Sequence, residues 1–159
     1  MPLEMSGCGT IHPSGRCPNA LGWSGTMPPA PITGGCLCGA VRFAAQGNPR
    51  VHYCHCDMCR RATGSAFAVL AWLPSMDIEW NGAPARRRSS PIAVREFCAT
   101  CGTPLTLVYD DKPSETALHL GVFDNPEQYE PRYNYGVDQR LGWICTGVDL
   151  PGYRTIERW

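Results

Sequence analysis

Three cysteines fall within six residues in the stretch Cys54-His55-Cys56-Asp57-Met58-Cys59, and Arg60 and Arg61 follow at once. Thiols this dense can hold a metal, do redox chemistry or form disulfides. The spacing separates these uses. Cys36-Leu37-Cys38 and Cys54-His55-Cys56 are both C-x-C pairs. A bridge between residues two apart strains the narrow geometry of a disulfide, whereas two thiolates so placed share one tetrahedral metal easily. The chain carries 10 cysteines in 159 residues. Its N-terminus shows neither a basic nor an apolar leader segment, so the expected compartment is reducing and cytoplasmic.

The thiols divide by their neighbours. Cys98-Ala99-Thr100-Cys101 is a C-x-x-C knuckle, and Cys36 and Cys38 form a second half-site on a glycine-rich turn. Together they supply the four ligands of a closed structural zinc site. Such a site would tie the start of the domain to its middle and contribute folding free energy directly. Cys54, Cys56 and Cys59 have no fourth cysteine nearby. Either the site keeps an open position, as catalytic zinc does, or Cys145 or a histidine closes it. Three thiolates leave zinc with a net negative charge. It should then acidify water less than a histidine-ligated zinc does, and suit an incoming thiol better. Arg60 and Arg61 are placed to offset that charge or to bind the carboxylates of a thiol substrate. The spacings do not fit ferredoxin-type iron–sulfur ligation.

The remaining sequence reads as β structure. Residues 1–32 are rich in Gly, Pro and Ser without periodicity, and form an N-terminal extension expected to be loosely ordered. Cys8, His12 and Cys17 lie there, but lack the fourth ligand of a third metal site. Residues 33–159 form the expected domain. Ala40–Ala44, Arg50–Tyr53, Ala66–Leu73, Ile78–Trp80, Ile92–Phe97, Leu105–Tyr109 and Thr116–Leu120 read as strands from alternation, apolar runs and β-branched content. Cys56–Ala62 is expected to make a helical turn that Thr63-Gly64-Ser65 ends. Arg86-Arg87-Arg88 suits a solvated strand edge. From Asp124 onward the chain is expected to be loop. The formal net charge is zero, which gives no support to a nucleic-acid partner, and no apolar run is long enough to span a bilayer.

Three segments together carry a family resemblance. They are Gly34-Gly35-Cys36-Leu37-Cys38-Gly39-Ala40-Val41-Arg42-Phe43, then Cys54-His55-Cys56-Asp57-Met58-Cys59-Arg60-Arg61-Ala62-Thr63-Gly64-Ser65-Ala66-Phe67, then Phe97-Cys98-Ala99-Thr100-Cys101-Gly102-Thr103-Pro104-Leu105. In order and spacing they resemble the glutathione-dependent formaldehyde-activating enzyme family, which includes centromere protein V-like proteins. The similarity runs from about Ile32 to Pro151. It implies a mainly β fold, an antiparallel β-tent with zinc-bearing turns. It also implies two zinc ions, a structural one on Cys36, Cys38, Cys98 and Cys101 and a catalytic one on Cys54, Cys56 and Cys59. The implied activity is that of a carbon–sulfur lyase, which forms or cleaves a thiol–aldehyde adduct such as S-hydroxymethylglutathione from glutathione and formaldehyde.

On this reading a thiol enters the open zinc position, its sulfur attacks an aldehyde carbon, and an acid protonates the oxyanion. His55 is the candidate acid nearest in sequence. One departure stands out. Family members often carry a histidine near the C-terminus, where this chain reads Tyr133-Asn134-Tyr135-Gly136-Val137. The competing expectation is a zinc-stabilised binding module of the centromere protein V type, without turnover.

Overall fold

The computed structural model describes residues 31–145 and 149–156. The extension before residue 31, with Cys8, His12 and Cys17, lies outside the described residues. The strands are β1 (Ile32–Gly35), β2 (Arg42–Ala45), β3 (Arg50–Cys54), β4 (Ala68–Pro74), β5 (Ile78–Asn81), β6 (Ala85–Ser90), β7 (Ala93–Phe97), β8 (Pro104–Tyr109), β9 (Glu115–His119), β10 (Asn134–Tyr135) and β11 (Gly152–Tyr153). One α-helix, α1 (Asp57–Thr63), follows β3. The fold is mainly β, as expected.

Two sheets are formed. The smaller has the order β1-β2-β5, and the larger β11-β10-β3-β4-β9-β8-β7-β6. The period-two alternation of side chains divides the larger sheet into two faces with different tasks. Val51, Ala71, Leu73 and Leu118 point one way and pack with Ile32, Phe43, Ala45 and Phe123 into the core between the sheets. Burying each such leucine or phenylalanine contributes about 1.5–3 kcal/mol. The opposite face carries Cys54, Leu70, Leu107, Ala93 and Ala117, which pack with Cys56, Met58 and Cys59 of the helical turn. The register His52↔Leu70↔His119 and Trp72↔Ala117↔Leu107↔Arg95 sets two rows of side chains on that second face.

β6 is an edge strand. Its arginines pair with neighbours across the sheet, Arg86 with Glu96 at 3.2 Å and Arg88 with Asp110 at 2.7 Å. That is the solvated, charge-protected edge expected of the triple-arginine run. The structure differs from the sequence expectation at the other end of the sheet. The stretch after Asp124 contains two short strands, and both pairings there are parallel: β10 with β3, and β10 with β11. Elements of two residues have no readable period. Residues before and after β10 make the junction tight: the Tyr53 N–H donates to the Tyr133 carbonyl at 3.0 Å and the His55 N–H to the Tyr135 carbonyl at 2.8 Å.

The chain leaves β10 through Gly136, at φ +70. Any Cβ there would sit 2.8 Å from the Cys56 backbone nitrogen, so both the conformation and the space call for glycine. Gly136→Ala is therefore expected to lower stability by about 1–3 kcal/mol in denaturant unfolding. Gly142→Ala, where a Cβ would meet open space, should stay within about 0.5 kcal/mol of the parent. Equal effects would show that the close approach of this turn to Cys56 carries no energetic weight.

Candidate metal centres

Among the described residues, two cysteine groups have their sulfurs drawn together: Cys36, Cys38, Cys98 and Cys101, and separately Cys54, Cys56 and Cys59, the ligand atoms of each lying within 4.8 Å of one another. The four-cysteine group joins two turns. Cys36 and Cys38 lie between β1 and β2, and Cys98 and Cys101 between β7 and β8. Gly39 at φ +79 and Gly102 at φ +75 close these turns in the left-handed region. Backbone and hydroxyl donors are aimed at the sulfurs: the Val41 N–H reaches Cys36 Sγ at 3.2 Å, and the Thr103 hydroxyl lies 3.1 Å from Cys101 Sγ. The Thr103 hydroxyl holds the Cys101 thiol down at about 5, with its backbone N–H adding to the effect.

The three-cysteine group is built by the β3–α1 junction. Cys54 ends β3, Cys56 is the helix N-cap and Cys59 lies in the first turns. The Cys56 sulfur does the work of a capping side chain, accepting from the Cys59 N–H at 3.4 Å. The Asp57 N–H donates to Gln139 Oε1 at 2.7 Å, so the segment after β10 also caps this helix. The helix closes at Gly64, at φ 67, whose N–H donates to the Arg60 carbonyl at 2.8 Å, a left-handed cap. All three cysteines are almost fully buried.

Both groups fit a tetrahedral thiolate metal. Bonds of about 2.3 Å, as zinc makes to thiolate, put tetrahedral sulfurs about 3.8 Å apart. Cys36–Cys38 and Cys38–Cys98 are 3.5 and 3.7 Å apart, and Cys54–Cys56 are 3.3 Å apart. In the buried group one sulfur, Cys59, has a guanidinium beside it. Hydrogen bonds from Cys54 and Cys56, with help from the Arg95 guanidinium, hold the Cys59 thiol well below its ordinary range, against the effect of burial. Donation to Cys56 and Cys59, together with burial, pushes Cys54 far up. Three adjacent buried thiols lose one proton readily and the others only when a cation arrives.

Arg95 is the residue that the sequence reading missed. It is 3% exposed, and its Nη2 donates to Cys59 Sγ at 3.4 Å. The available signal was register: Ala93 and Arg95 occupy inward positions of β7, and a charged residue at an inward position needs an anionic partner. His52 and His119 share this face and are buried. Desolvation lowers each to about 4, so both are neutral at pH 7. His55 is completely buried, and its Nε2–H donates to Asn134 Oδ1 at 2.9 Å. Asn134, the position of the departure, thus holds the residue between Cys54 and Cys56. Arg61 is exposed and pairs with Asp57 at 3.7 Å. Arg60 is half-buried in the last turn of the helix. Cys145 is exposed and does not join the three-cysteine group.

A cavity of about 620 Å³ opens on the same face of the sheet. Cys54 lines it, as do His52, Trp72, Tyr109, Tyr133 and Tyr135. His55, Arg60 and Arg61 are not among its lining residues. A metal held by the three sulfurs therefore lies beside this cavity, reached past Cys54.

Residues 31–138 match the family described as glutathione-dependent formaldehyde-activating enzyme. A Schizosaccharomyces pombe protein described as an uncharacterized lyase is 30% identical over 95 residues, which span 59% of this chain and 69% of that protein. A Rhodobacter sphaeroides protein of known crystal structure is similar in fold, with a TM-score of 0.50 at 21% identity, covering 76% of this chain and 98% of that one.

Arg95 places a fixed positive charge against the Cys59 sulfur of the buried group. Arg95→Met is expected to weaken metal binding there about 10- to 100-fold, read by competition with a chelator, while the four-cysteine group keeps its affinity. Arg95→Lys should recover part of the loss. Equal weakening at both groups would mark the effect as general destabilisation.

Proposed function

The chain belongs to the glutathione-dependent formaldehyde-activating enzyme family, and on that premise we propose that it is a zinc-dependent carbon–sulfur lyase, which forms or cleaves a thiol–aldehyde adduct such as S-hydroxymethylglutathione. The observation that carries this reading is the contrast between the two cysteine groups. One has four sulfurs and sits in turns; the other has three and borders a cavity through Cys54. The lyase name of the yeast relative supports the reaction class.

In this reading Cys36, Cys38, Cys98 and Cys101 hold a structural zinc, and Cys54, Cys56 and Cys59 hold a catalytic one. Zinc on three thiolates supplies a soft site that favours the thiolate form of an incoming thiol. The chain's own residues do the rest. Arg95 offsets the surplus negative charge on the sulfurs. The aromatic walls of the cavity exclude water from the carbon–sulfur bond. In the synthetic direction the thiol sulfur donates its electron pair to the aldehyde carbon, the carbonyl π bond breaks onto oxygen, and that oxygen takes the proton given up by the thiol. Cleavage reverses each step.

His55 does not reach the cavity wall, and its ring is held by Asn134. We place it in a positioning role, fixing the β3–α1 junction from which the three sulfurs project. His52 is the imidazole on the cavity wall.

Protein purified without added metal is expected to hold about two zinc ions per chain, the more labile of them on the three-cysteine group. Cys54→Ser should abolish acceleration of thiol–formaldehyde adduct exchange, followed by NMR above the spontaneous rate, while one zinc is retained. Two equally inert zincs and no acceleration in the parent would instead identify a zinc-stabilised binding module.

A further inference from the structure

The cavity beside Cys54 has a chemistry of its own. One wall is the His52 ring stacked on Tyr133, with centroids 4.8 Å apart and planes 9° from parallel, and Tyr135 edge-on to His52 at 6.1 Å. The other is Trp72 stacked on Tyr109, with centroids 5.9 Å apart and planes at 15°. The sheet explains why the second pair can form. β9 lies between β4 and β8, and the residue opposite Trp72 is Ala117, whose small side chain lets the rings of the flanking strands meet above it. Both pairs line the cavity, and their flat π surfaces suit flat or apolar matter.

Charge at the mouth argues in the same direction. The charged lining residues are Arg50, Lys112, Asp110, Asp111 and Glu115, and most of them are satisfied by one another or by a neighbour. Arg50 is already engaged by Glu115 at 2.7 Å, and Asp110 by Arg88 at 2.7 Å. Lys112 is thus the one lining cation without an ion pair among the described residues. Glutathione carries two carboxylates and one ammonium. With Lys112 taken by the first, its second carboxylate would have to share Arg50 with Glu115. Size does not decide the matter, since the cavity is in the range that holds a drug-sized ligand.

From the paired aromatic walls and a mouth whose charges are mostly paired with one another, leaving Lys112 as its one unpaired lining cation among the described residues, we infer that the cavity selects a thiol, or its aldehyde adduct, with a flat or apolar body and at most one carboxylate, over glutathione. This rests on the reading of the three-cysteine group as a thiol-accepting zinc site. The body of the substrate lies between the Trp72–Tyr109 and His52–Tyr133 pairs, its sulfur points toward Cys54, and a single carboxylate, where present, meets Lys112.

The test is anaerobic calorimetric titration of the two-zinc protein with benzyl mercaptan and with glutathione. Benzyl mercaptan is expected to bind about tenfold or more tightly than glutathione. Trp72→Leu should weaken benzyl mercaptan about tenfold through loss of a stacking face, with little change for glutathione. Glu115→Gln, at an exposed ion pair, releases Arg50 and should raise the affinity for glutathione relative to benzyl mercaptan. Glutathione binding as tightly as benzyl mercaptan, or insensitivity of both to Trp72→Leu, overturns the inferred selectivity while leaving the thiol-accepting zinc intact. If neither thiol binds although both zincs are present, the zinc reading itself fails, and the selectivity with it.

Discussion

Three buried sulfurs within a few ångströms of one another cannot all carry charge unless positive charge is brought to them, and much of this fold is arranged around that constraint. The protein's own contribution is Arg95, delivered from β7 across the face of the large sheet to Cys59. A guanidinium buried among apolar residues would be costly by itself. Opposite a thiolate it becomes the local counter-charge, and a metal on the three sulfurs would complete the neutralisation. The two buried histidines of the same face are held neutral at pH 7 by desolvation, so they add no further positive charge. On this face Arg95 alone of these buried polar residues balances charge, where the opposite face of the same sheet is an ordinary hydrophobic core.

This double use of one sheet follows from period-two alternation. In β3, Val51 goes to the core and His52 and Cys54 to the site. In β9, Leu118 goes to the core, and Ala117 and His119 to the site. A slip of one residue in β3 would exchange the two sets, placing a thiol in the core and a valine at the metal. The clamp formed by β10, Gly136 and Gln139 around the β3–α1 junction opposes such a slip at the point where it would do most damage.

Much of this was legible in the sequence, and the illegible parts share a physical cause. The seven clustered cysteines could be sorted because C-x-C and C-x-x-C spacings are local geometry, and their division into groups of four and three matches the sulfur positions. Strands such as β4 and β8 could be read because each is long enough to show its pattern. β10 and β11 could not, being two residues each and parallel to distant partners. Their pairing is a tertiary fact. The same holds for Arg95, 36 residues from the cysteine it contacts, and for the Asn134–His55 bond across 79 residues. Nearness in sequence favoured Arg60, Arg61 and His55 over Arg95 and His52. A turn of helix directs the first two away from the cavity, and the ring of the third is drawn inward to Asn134.

The separation of the two cysteine groups has a structural logic. The four-cysteine group fastens the turn of the small sheet to the β7–β8 turn of the large one, and so closes a long loop of chain. A metal there stabilises the native state in proportion to the conformational freedom it removes from the unfolded chain. The three-cysteine group spans only the β3–α1 junction, whose geometry is already enforced by a helix cap, two strand hydrogen bonds to the segment around β10 and the Gln139 contact. A metal there closes almost no loop and has little stabilising work to do. A site released from that task can dispense with a fourth protein ligand. On the proposed reading, the ligand it would give up is replaced by access: Cys54 is both the sulfur that ends β3 and the residue through which the group meets the aromatic cavity.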